Sequence, residues 1–125
     1  VAVGRWAMTT LDCADAEELG QFWADMLDGS IVHRSDTGVV ILVGQSLLGA
    51  TEVPDYQRPT WPAGALPKQI HLELAVDDLD KAEAEAVELG ARRAADQSDP
   101  TRWRVFLDPA GHPFCLTTMF PKPQE

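Results

Sequence analysis

The feature that most constrains this chain is an order of elements that occurs twice. A strand, a capped helix, a glycine and three further strands span about residues 5–53, and the same order returns over about 69–120, some 62 residues on. In the first pass RWAMTTLDC (5–13) reads as a strand, and a helix follows from about Ala16 to Asp28. Asp15 suits its N-cap, and Glu18 stands where the partner of a capping box belongs. Leu19, Phe22, Trp23, Met26 and Leu27 recur at helical spacing and make one apolar stripe. Gly29 is expected to stop the helix in the left-handed conformation. Strands are expected at 30–35, 38–44 and 47–53, with turns at Gly38 and at Gly44-Gln45-Ser46.

In the second pass QIHLELAVD (69–77) is a strand, and Asp77 or Asp78 caps a helix whose Leu79, Ala82, Ala86 and Leu89 share a face up to Gly90. Strands at about 91–95, 102–108 and 113–120 follow. Asp108-Pro109-Ala110-Gly111 has the proline and glycine positions of a type I turn. Between the passes, residues 54–68 hold four of the nine prolines and read as a linker or ordered crossing loop. Internal duplication is the economical account. The order is not the alternation of a doubly wound sheet. It predicts an α+β protein of two βαβββ modules, with curved mixed sheets and helices on the outside.

Charge narrows the partners. Twenty acidic residues against ten basic ones give a net charge of −10, a field that repels a phosphate backbone, so no nucleic-acid partner is expected. The same field suits a cationic ligand, although solubility alone accounts for it. No apolar run approaches the ~18 residues of a bilayer span, and VAVGRWAMTT lacks the layout of a signal peptide. Cys13 and Cys115 match no metal or redox spacing, which points to a reducing compartment. A cytoplasmic protein with no membrane partner is the expectation.

Strand alternation nominates site residues. Ile70, Leu72, Leu74 and Val76 form an apolar face for the helix, which sends His71 and Glu73 to the other face, about 7 Å apart by strand rise. A carboxylate beside an imidazole suits a general base; it also suits a satisfied polar pair in a wet cup. Trp6, Trp61 and Trp103 are candidates to line a pocket, with Trp61 either in a lid or as a buried anchor. Arg102 and Arg104 flank Trp103, and Arg104 is a candidate to hold an anionic group. Cys115 is either a pocket thiol or a small packed hydrophobe. Cys13 reads as core, His112 as hairpin and His33 as exposed.

With LDCADAEELGQFWADMLDG, HLELAVDDLDKAEAEAVELGA and DPAGHPFCL in place, the chain resembles the glyoxalase/bleomycin-resistance/dioxygenase (vicinal oxygen chelate) superfamily from about Arg5 to Phe120. VPDYQRPTWP and WRVFLDPAGHPFCL are similar, more narrowly, to the glyoxalase-like proteins of actinobacteria. The superfamily holds isomerases, dioxygenases, thiol transferases and drug-sequestering proteins, so the resemblance implies a fold before an activity. Its metal enzymes take a His early in the first strand and a Glu late in the last strand of each module. His71 falls on one such position. Met8 stands at the equivalent place in module one, on a face with Trp6, Thr10 and Asp12. Cys115 takes the place of the second-module Glu, and Gly49 or Thr51, rather than Glu52, that of the first.

One ligand of four is poor provision for an oxygen-seeking ion. No divalent metal of the glyoxalase kind and no cofactor are therefore expected, a soft ion on Met8, His71 and Cys115 being the alternative. The leading expectation is a metal-independent protein that sequesters or acts on a small aromatic or cationic compound. The alternatives are a metal-free acid–base isomerase or lyase using His71 and Glu73, a metal-dependent glyoxalase or dioxygenase, and a scaffold with filled cups. Analogy implies a homodimer.

Overall fold

The computed structural model describes residues 2–120 and 122. It divides into two compact units, one up to residue 57 and one from 58 onward, and the break falls inside the proline-rich segment.

The first unit runs β1 (Met8–Cys13), α1 (Ala16–Leu27), β2 (Ser30–Arg34), β3 (Gly38–Val43) and β4 (Ser46–Glu52). Its sheet has the order β1-β4-β3-β2, with β1 parallel to β4 and the other neighbours antiparallel. Asp15 caps α1 by accepting from the Glu18 amide at 3.0 Å, and Glu52 at the end of β4 accepts from the Ala16 amide at 3.1 Å. Both bring negative charge to the positive end of the helix dipole. Leu19, Phe22 and Trp23 are buried, with the two rings packed edge-to-face at 5.1 Å. The left-handed residue that ends α1 is Asp28 (φ 52°), one position before the expected Gly29. Gly29 meets a different demand: a Cβ there would lie 2.7 Å from the Leu42 carbonyl oxygen on β3.

The second unit repeats the pattern: β5 (Leu72–Ala75), α2 (Leu79–Leu89), β6 (Arg92–Arg93), β7 (Trp103–Leu107) and β8 (Pro113–Thr117). The sheet order is β5-β8-β7-β6, again with one parallel pair, β5 and β8. The two sheets are thus superposable in connectivity, and the chain is α+β with two like modules. Asp78 caps α2 through the Lys81 amide, and Gly90 closes it with its amide donating to Ala86 and Val87. Leu79 and Ala86 are buried, whereas Leu89 is exposed. The strand over 69–77 is shorter than the alternation predicts: Ile70 lies outside β5 and is 77% exposed, so it does not join the helix-packing face. Phe106 and Phe114 stack in the core at 5.9 Å. The turn from Asp108 to Gly111 closes as predicted, the Gly111 amide donating to the Asp108 carbonyl at 2.8 Å. The buried Asp108 carboxylate accepts from the amides of Ala110 and His112.

A candidate ligand cavity on the second sheet

The first three residues of the site come from register. Glu73 on β5 pairs with Cys115 on β8, which pairs with Val105 on β7. Alternation sets His71 and Trp103 on that same face. The other face of these strands carries Leu72, Phe114, Leu116 and Phe106, the side of the sheet that packs in the core. His71 Nε2 lies 3.8 Å from Glu73 Oε1, and the donor atoms of His71, Glu73 and Cys115 all fall within 4.8 Å of one another. The thiol is buried while the imidazole and carboxylate are exposed. Burial first, and then the negative charge of Glu73, push the Cys115 thiol up from its ordinary range, with Lys68 acting the other way. Cys115 is therefore a protonated thiol at neutral pH, not a ready nucleophile.

Two further segments wall the site. The proline-rich loop is ordered: Thr60 pairs with Pro67, its amide donating to Leu66 at 2.7 Å. That closure presses the Trp61 indole against Ala94, Val105 and Cys115. The indole N–H is buried with no partner among the described residues. On the opposite wall, residues 96–98 follow β6. Gln97 holds them by donating to the carbonyls of Ala94 (2.8 Å) and Val105 (2.9 Å), and by accepting from the Val105 amide (2.9 Å). Its side-chain amide thus continues the β6–β7 ladder as a peptide group would. Ser98 accepts from the Trp103 indole N–H at 3.0 Å and fixes that ring.

These groups line an open cleft of about 550 Å³, formed by Trp61, Pro62, His71, Glu73, residues 96–98, Trp103, Val105 and Cys115. That is the size of a small-molecule site. Two indoles stand with two carboxylates, Glu73 and Asp96, and no Arg or Lys is in the lining. Lys68 stands over the Trp61 ring at 4.9 Å. Arg102 stands over Trp103 at 5.0 Å and is paired with Asp99. Setting Lys68 against Glu73 and Asp96 leaves the cavity one negative charge.

Of the residues nominated from sequence, His71, Glu73, Trp61, Trp103 and Cys115 come together here. Arg104 does not. It follows Trp103 by one residue and so points to the other face, where it binds Asp80 (2.9 Å) and Glu83 (3.2 Å) of α2. Its charge is spent tying β7 to the helix. Met8, Thr10 and Asp12 lie on the exposed face of β1 in the first unit, and Trp6 precedes that strand, 85% exposed. Gly49 stands beside Thr10, where Cys115 stands beside Glu73. Glu52 is occupied at the α1 N-terminus, so the first sheet presents no carboxylate at the equivalent place. Sequence reasoning missed residues 96–98: a loop after a two-residue strand has no periodicity to read.

Comparison with known proteins decides the family. The family model for the glyoxalase-like domain matches residues 8–117. The chain belongs to this family. No curated protein matches it. Among solved structures it is similar to the fosfomycin resistance protein FosX from Mesorhizobium loti, with a TM-score of 0.70 and 18% identity over 96% of this chain and 94% of that one. A mutant of FosX from Listeria monocytogenes, complexed with Mn(II) and 1S,2S-dihydroxypropylphosphonic acid, gives 0.69 at 16% identity over 94% and 91%. A glyoxalase/bleomycin resistance protein/dioxygenase family enzyme from Burkholderia phytofirmans gives 0.65 at 17% identity over 88% and 94%. These likenesses place the chain in the vicinal oxygen chelate fold. No helix among the described residues is long and apolar enough to cross a membrane.

The fold raises the question of a Mn(II)-type ion. The donors available are one imidazole, one carboxylate and one buried thiol. Hard ions of that class ask for several oxygens, and this set does not fit one.

Proposed function

We propose that this glyoxalase-like protein binds a small, flat organic molecule, cationic or aromatic, in the cavity of its second module without the family's usual divalent-metal site. The observation that carries the reading is the lining: Trp61 and Trp103 with Glu73 and Asp96, in about 550 Å³. Indole faces favour aromatic and cationic groups. The carboxylates, in a chain of net charge −10, favour a positive ligand over a negative one. Binding of this kind needs shape and charge, and no reacting group. It fits a cytoplasmic, dimeric binding protein that sequesters its ligand.

A second reading has one observation in its favour. His71 Nε2 and Glu73 Oε1, 3.8 Å apart on the cavity floor, are within a small side-chain movement of a hydrogen bond, as a base and its orienting carboxylate require. The chain would then be a metal-free isomerase or lyase.

One experiment tests both. Tryptophan fluorescence is followed during titration with N-methylquinolinium and, separately, with quinoline-carboxylate. Saturable quenching by the cation at tenfold or lower concentration than by the anion is expected, and it is lost in Trp103→Ala. Equal quenching, or none, rejects the binding reading. His71→Ala separates the two: it weakens binding in a sequestering protein and abolishes turnover in an enzyme.

A further inference from the structure

The cavity floor carries a donor set that neither the organic-ligand reading nor acid–base chemistry uses in full. We propose that His71, Glu73 and Cys115 form a site for a thiophilic divalent cation, of the zinc and cadmium class, in place of the hard ion that an all-oxygen and imidazole site would take. Three different donors converge here: an imidazole nitrogen, a carboxylate oxygen and a thiol sulfur, all within 4.8 Å of one another. Two ligand atoms on one tetrahedral zinc ion stand about 3.4–3.6 Å apart, from bond lengths near 2.0–2.3 Å. The 3.8 Å between His71 and Glu73 is already close to that spacing. The longest separation closes by about 1 Å, within the reach of side-chain rotation about a floor fixed by the Glu73–Cys115 register.

Donor softness chooses the ion. A thiolate favours zinc and cadmium strongly and manganese or magnesium little. Three protein ligands leave a fourth position, which the cavity keeps open for water or a ligand atom. The ion leaves room for an aromatic organic ligand as well. A divalent ion that displaces the Cys115 thiol proton and is held by the resulting thiolate, one carboxylate and a neutral imidazole makes a neutral cluster; Asp96 then offsets Lys68, and the two indoles keep their preference for an aromatic molecule. The inference goes beyond the organic-ligand reading and stands without it.

The test uses the full chain, stripped with a chelator and titrated with Cd²⁺, Zn²⁺ or Mn²⁺ alone. Cadmium is followed by its ultraviolet thiolate charge-transfer band and zinc by calorimetry. One equivalent of cadmium should raise the band, zinc should abolish it by displacement, and manganese at equal concentration should do neither. Cys115→Ser should remove the band and weaken zinc by at least about 100-fold, beyond what loss of a supporting group does. Cys13→Ser, in the other unit and also buried, should leave both unchanged, and circular dichroism verifies that each variant is folded. If Cys115→Ser does not fold, His71→Ala provides the same test: the band is retained and the zinc affinity falls. No band in the wild type, a band that follows Cys13, or manganese binding as tight as zinc overturns the proposal. None of these outcomes alters the fluorescence result with N-methylquinolinium, so the two readings fail separately.

Discussion

Gln97 is the residue through which stability and the cavity are most tightly joined. Its side chain makes three hydrogen bonds of 2.8–2.9 Å, two donated and one accepted, all to the backbone of Ala94 and Val105. Gln97→Ala deletes all three. At about 0.5–1.5 kcal/mol net for each bond the loss is about 1.5–4.5 kcal/mol. The losses are unequal. The Val105 carbonyl keeps the Ala94 amide as a donor at 3.0 Å, whereas the Val105 amide, in a residue only 5% exposed, is left unpaired unless water reaches it. About 2–3 kcal/mol is therefore expected, read as the change in urea midpoint at constant slope. Gln97→Glu sharpens the test. A carboxylate still accepts from the Val105 amide but cannot donate, and it sets a negative charge against two carbonyl oxygens. It should be at least as destabilising as alanine at neutral pH and partly recovered in acid, where the protonated acid donates again. The hydrogen-bond account is refuted if alanine costs less than about 0.5 kcal/mol, or if glutamate matches the wild type at neutral pH.

Two further outcomes follow from other parts of the molecule. Gly20→Ala gains about 1 kcal/mol of helix propensity but places a Cβ 2.3 Å from Val39 Cγ2, on a stiff, buried side chain. Overpacking of about 1–3 kcal/mol should win, lowering the thermal midpoint, and Val39→Ala in the same chain should restore part of it; a more stable Gly20→Ala would contradict the packing of α1 on β3. The Cys13 thiol is pushed up to about 11, chiefly by burial and then by Glu52, Asp15 and Asp12. The folded state thus holds its proton more tightly than the unfolded state. The stability this adds is complete below the unfolded value of 9.0 and is lost as pH rises through about 11. Urea denaturation of wild type and Cys13→Ser should diverge over that window alone, and parallel curves would contradict it.

What was legible in the sequence was local or periodic. Asp15 and Asp78 cap their helices because a short acidic side chain before an apolar stripe has few other uses. The repeated order of elements led to two sheets with the same strand order. The failures share a cause, since each depends on contacts between elements. Gly29 carries the sequence signal of a helix terminator, but it is glycine because β3 passes close by, and Asp28 takes the left-handed turn. Ile70 has the alternation of a buried position, yet β5 begins after it. Trp103 and Arg104 both have the chemistry of cavity residues, but adjacent strand residues face opposite ways, and the ion pairs to Asp80 and Glu83 reveal which one leaves. Asp96 and Gln97 had no signal at all, because a side-chain amide that substitutes for a strand is recognised only by its partners.

If the second-sheet cavity is the ligand site, amide chemical-shift mapping will locate the bound molecule there. Titration of ¹⁵N-labelled chain with N-methylquinolinium should move the amides of His71, Glu73, residues 96–98 and Cys115, and the indole N–H signals of Trp61 and Trp103. The amides of β1 and the α1 helix should stay still. Shifts confined to the first unit, or none at saturating ligand, would contradict the account.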